Sequence, residues 1–111
     1  MNAPTKSFMS CLAESAIAAH LARLGATWRD VSRTLQQDFE IELNDYPQEF
    51  EADHNPLATW AQRQWPNLNI GVYDSELIAY LKTSDEELVV QLPEPVHEFM
   101  RRWITNTWCG E

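Results

Sequence analysis

Seven carboxylates lie between Asp38 and Asp53 with no Lys or Arg among them: Asp38, Glu40, Glu42, Asp45, Glu49, Glu51 and Asp53. Acids at this density can steer a basic protein toward the chain, or imitate a nucleic acid by standing where phosphates would sit. The plain alternative is a solvated face that keeps a small protein in solution. Tyr46 and Phe50 inside the run favour docking, because aromatic residues among charges are frequent interface anchors. Trp65, further along the chain, is a third candidate anchor.

Other chemistries find little footing. The histidines are His20, His54 and His97, with Asp53 and Glu98 nearby, and none has the spacing of HExxH, CxxC or a 2-His-1-carboxylate site. No metal or cofactor is expected. The glycines are Gly25, Gly71 and Gly110, too few and too scattered for a phosphate-cradling or dinucleotide loop. There is no Gly-x-Ser-x-Gly turn and no P-loop lysine, so no catalytic residue is assigned. Asp85-Glu86-Glu87 reads as a solvated turn. An enzyme working by carboxylate acid–base chemistry is the distant alternative. Cys11 and Cys109 stand near opposite ends with no neighbouring Cys, and both are expected to be free thiols. Arg101-Arg102 is too small a patch to bind nucleic acid, and the surrounding charge opposes it.

The charge is unevenly spread along the chain. From Thr34 to Met100 fourteen carboxylates face two basic side chains, Arg63 and Lys82, whereas both flanking segments are positive and the total is −9. Such a field repels phosphate backbones and anionic membranes and attracts basic partners over roughly 10 Å at ordinary ionic strength. At 111 residues, 44% of them hydrophobic, with five Trp, the chain suits one folded domain rather than two. Residues 1–7 read as a flexible tail and 8–111 as that domain. No apolar run approaches the ~18 residues of a membrane helix. Met1–Leu24 is interrupted by Glu14, Ser15, His20 and Arg23, unlike an export signal, so a cytoplasmic location is expected.

Periodicity then supplies the elements that would hold these residues. Phe8, Leu12, Ala16, Ile17, His20, Leu21 and Leu24 form a helical stripe, with Gly25 as its left-handed terminator. Thr27 and Asp30 mark the start of a second helix, with Trp28, Val31 and Leu35 turned inward. Residues 39–43 alternate apolar and charged, as a half-buried strand does, yet they also continue the helical spacing. Asn55-Pro56 opens a third helix carrying Leu57, Trp60, Ala61 and Gln64 on one face. Rotation along that helix would turn Trp65 away from Trp60. Three short strands follow, joined by tight turns as an antiparallel meander. Val96, Phe99, Met100, Trp103, Ile104 and Trp108 then make an amphipathic closing helix, expected to cover the sheet.

The fold class expected is therefore α+β: N-terminal helices, a small three- or four-stranded antiparallel sheet, and a closing C-terminal helix, in two layers. Trp28, Trp60 and Trp103 are expected in the core. The leading functional expectation is a small acidic module, monomer or homodimer, that binds a basic protein stoichiometrically as an inhibitor, immunity-like factor or adaptor. No nucleic-acid or membrane partner is expected. The alternative is a chaperone-like homodimer that holds a client chain. Bacterial immunity proteins, phage-encoded inhibitors and secretion chaperones share this size, acidity and outline, without a motif that links any of them to this chain.

Overall fold

The computed structural model describes residues 8–43, 51–82 and 86–105. Four helices and three strands follow one another as α1 (Phe8–Ala22), α2 (Trp28–Gln37), α3 (Pro56–Gln64), β1 (Leu68–Val72), β2 (Glu76–Leu81), β3 (Glu87–Gln91) and α4 (Glu94–Thr105). This is a compact α+β fold.

Sequence signals set the helix starts. Thr27 accepts a bond from the Asp30 amide at 3.2 Å and donates its hydroxyl to the Asp30 carboxylate at 3.1 Å, so two groups at the start of α2 satisfy each other. Asn55 caps α3 by accepting from the Ala58 amide at 2.8 Å, with Pro56 in the first turn, where its missing N–H costs nothing.

The sheet is the expected meander, in the order β1-β2-β3 and antiparallel throughout. Its register places Leu68, Ile70 and Val72 opposite Leu81, Ala79 and Leu77, and Leu77 and Ala79 opposite Val90 and Leu88. These side chains share one face, and all but Leu81 are buried. Both edges carry contacts from other parts of the chain. Glu14 of α1 accepts from the Val89 amide at 2.8 Å, blocking the β3 edge. The Val72 amide donates to the Ala52 carbonyl at 2.8 Å, and Gln62 donates to the Leu68 carbonyl at 2.7 Å, closing the β1 edge. These contacts occupy part of the backbone that would template another strand.

Several expectations are corrected. The closing helix does not chiefly cover the sheet: α1 packs on β3 and α3 on β1, while α4 packs mainly on α2. Arg102 of α4 lies over the Trp28 ring at 4.4 Å, with Arg29 on the same ring at 5.0 Å. Trp28 is half-buried, with two guanidiniums over its ring. Trp60 and Trp103 are buried as expected, but Ile104 is exposed. On α1 the inward face carries Ser10, Ile17 and Leu21, with Leu24 buried just beyond its end, while Leu12 and Ala16 face solvent. Turning Glu14 toward β3 fixes the helix rotation and swings Leu12 outward.

Gly25 is not in the left-handed region; it is needed because a Cβ there would fall 2.5 Å from Asp30 Cβ. Residues 39–43 are neither a fourth strand nor the end of α2. Glu40 adopts a positive φ of 54°, which breaks the helix. Backbone groups a partner strand would need are taken by others: Ile41 donates to Leu35, Arg63 binds the Phe39 carbonyl, and Trp103 binds the Leu43 carbonyl. The alternation persists as burial, with Ile41 and Leu43 in and Glu42 out. Residues 1–7, Trp108 and Cys109 lie outside the described residues; Cys11 is an exposed free thiol.

Candidate functional site

Asn55 organises the surface that carries the acids. Its side chain is 4% exposed, and its amide donates to the carbonyls of Glu51, Ala52 and Val72, each at 3.1 Å. Residues 51–55 are thereby fastened to the sheet edge, and Glu51 and Asp53 point to solvent. His54 stands between them, its Nδ1 3.3 Å from the Glu51 carboxylate and 3.2 Å from that of Asp53.

Glu42 reaches the same place from the other end of the run. The Trp103 indole donates to the Leu43 carbonyl at 3.1 Å, pinning the extended segment with Glu42 outward. Glu42, His54, Asn55, Pro56, Thr59 and Trp103 line one shallow depression of about 130 Å³. That is too small for a typical cofactor or drug-sized ligand, and suits a side chain of a docking protein. Asp53 lines the adjoining hollow with Thr59, Gln62, Arg63 and Ile70. Arg63 donates to the Phe39 carbonyl at 2.8 Å, at the end of α2 between the exposed Asp38 and Glu40.

Five of the expected contact residues, Asp38, Glu40, Glu42, Glu51 and Asp53, are therefore exposed on segments that meet around α3. Asp45, Tyr46, Glu49 and Phe50 lie outside the described residues. Trp65 is half-buried and its ring meets Trp60 edge-on at 5.5 Å and His20 at 5.3 Å. The expected separation of Trp60 and Trp65 is corrected, because the backbone leaves helical geometry at Trp65, with φ −130° and ψ 76°. Sequence reasoning missed His54, Thr59 and Trp103 as members of this surface. The signal for the first two was the Asn55-Pro56 helix start beside them; Trp103 had none, since its approach is tertiary.

The perturbed ionisable groups lie elsewhere. The Asp30 carboxyl is held below its ordinary value by the Thr27 hydroxyl, against an opposing desolvation and with help from Arg33. At Glu98 desolvation pushes the carboxyl up, but bonds from Arg102 and Arg101 outweigh it and the net shift is downward. The Tyr80 hydroxyl is pushed up by its bond to Glu87. Among the described residues no group of three or more His, Cys, Asp or Glu side chains could hold a metal ion. No helix among them is long and apolar enough to cross a membrane. Comparison of the chain with protein-family models, with curated proteins and with solved structures finds no match.

Proposed function

We propose that this protein is a stoichiometric binding module whose acidic surface around α3 docks a basic protein, as an inhibitor, immunity-like factor or adaptor would. The observation that carries this reading is the meeting of the two ends of the acidic run: Glu42 shares a depression with His54 and Asn55, beside Glu51 and Asp53. Acids that merely solubilise a chain have no reason to converge, and convergence concentrates repulsion. Arg63 offsets part of that repulsion and holds the end of α2 in place. Charge complementarity at such a surface speeds encounter, while apolar contacts at its centre slow release.

The test is capture from host extract with the parent chain and with a variant carrying Glu40→Gln, Glu42→Gln, Glu51→Gln and Asp53→Asn. The expected prey is basic, binds the parent at low salt, and associates at least about tenfold more slowly with the variant. A prey that binds both chains at equal rates, at low and physiological salt, would reduce the surface to a solvated face.

A further inference from the structure

A hollow of about 220 Å³ opens where three helices end. Arg23 and Leu24 reach it just past α1, Asp38 closes α2, and Gln64 is the last residue of α3. Leu24, Phe39 and Trp60 supply its apolar walls, the two aromatic rings meeting edge-on at 6.3 Å. Arg23, Thr34, Asp38 and Gln64 also line it, and none of these side chains makes a hydrogen bond or ion pair among the described residues. Elsewhere such groups are engaged: Arg33 with Asp30, Arg63 with the Phe39 carbonyl, Lys82 with the Pro66 carbonyl, and Arg101 and Arg102 with Glu98.

Solvation accounts for the exposed members of the rim but not for Trp60. That residue is 2% exposed and lines the hollow, yet its indole N–H meets no acceptor among the described residues. The rings of Phe39 and Trp65 stand edge-on to it and offer no acceptor atom. Buried donors are nearly always paired, so this one marks a place where the acceptor comes from a bound molecule.

We propose that the hollow binds a small zwitterion with an apolar body, an aromatic α-amino acid, with its carboxylate on Arg23 and its ammonium on Asp38. Charge selects this class. Arg23 and Asp38 stand on one rim without pairing with each other, so each is left to a ligand group of opposite sign. A free anion is repelled by the net charge of −9 and by three helix C-termini, each worth roughly half a negative charge. A plain cation would be opposed by Arg23. A zwitterion carries no net charge to be repelled, and its carboxylate brings the kind of acceptor that the Trp60 N–H lacks. Size agrees. The hollow exceeds the ~150 Å³ that encloses benzene and falls short of the ~300 Å³ where drug-sized sites begin, which suits one ring with a short charged backbone. About a dozen heavy atoms at such a site bind with a dissociation constant of order ~0.1 mM. The hollow shares only Asp38 with the acidic surface around α3, so the two sites stand or fall separately.

Nuclear magnetic resonance of the full, nitrogen-15-labelled chain tests this by following the indole N–H signals as L-phenylalanine is added to about 10 mM. The Trp60 signal is assigned through its own backbone amide. A saturable downfield shift of that signal is expected. Phenylpropionate, which lacks the ammonium, and phenylethylamine, which lacks the carboxylate, should each bind at least about tenfold more weakly. Arg23 and Asp38 are exposed, so Arg23→Gln and Asp38→Asn leave the fold unchanged, and each should weaken L-phenylalanine about tenfold. The pairing is read by crossing the two series. Asp38→Asn should leave phenylpropionate within about threefold of its parent affinity, and Arg23→Gln should do the same for phenylethylamine. No saturation by about 10 mM, or saturation with the Trp60 signal unmoved, overturns the site. Either one-charge analogue binding as tightly as the amino acid overturns recognition of a zwitterion.

Discussion

Asn55 links a helix start, a sheet edge and the acidic surface through one buried amide. Its oxygen caps α3, and its nitrogen reaches the carbonyls of Glu51, Ala52 and Val72. Asn55→Ala should cost about 2–4 kcal/mol in urea unfolding, the cap and the lost side-chain bonds to the carbonyls together. Asn55→Asp keeps the capping oxygen yet sets a charge against the carbonyls, and should recover little of that loss. Recovery to parent stability would assign the whole effect to the cap. Asp30 makes a different contribution, through charge. Its folded-state pKa is depressed by Thr27 and Arg33, so its stabilisation is complete above the ordinary carboxylate range and fades as pH falls through the lower folded value. Asp30→Asn should lower the melting temperature at pH 7 and flatten its decline as pH falls below the ordinary carboxylate range. Parallel melting-temperature profiles for parent and variant would contradict that linkage.

Glu14 determines how α1 sits on the molecule. Its carboxylate takes the Val89 amide at the edge of β3, in the same rotation that buries Ile17 and Leu21 and leaves Met9 and Leu12 outward. Glu14→Ala should cost about 1–3 kcal/mol and expose the β3 edge, with Glu14→Gln in between. Hydrogen exchange at the Val89 amide reads this directly: it should quicken in Glu14→Ala, and unchanged protection would show that packing alone covers the edge. Segment 39–43 shows the same competition in reverse. Its alternating pattern is real, but Arg63 and Trp103 reach its carbonyls across 24 and 60 positions of chain and leave no vacancy for a strand partner.

The charge of the whole chain has a consequence that needs no partner. Carboxylates that meet around α3 repel one another in a molecule of net −9, so screening should stabilise the fold. The melting temperature should rise between about 10 and 150 mM salt, where the Debye length shortens from ~30 to ~8 Å. The Glu40→Gln, Glu42→Gln, Glu51→Gln, Asp53→Asn variant should melt at or above the parent temperature and depend less on salt. A lower melting temperature in that variant would mean that the carboxylates make stabilising bonds rather than a repulsive cluster.

Local order was written plainly in the chain. Thr27 and Asn55 declare their helices because capping is settled within three residues, and the meander declares itself because alternation and tight turns act over short spans. The acidic composition is likewise a property of the chain alone. Long-range contacts decided the rest. The rotation of α1, the seat of α4 on α2, the return of Trp65 onto Trp60 and the approach of Glu42 to His54 all depend on partners distant in sequence. Helical or strand periodicity states that a residue has an apolar face. Which neighbour meets that face is fixed only when all faces compete to be buried at once.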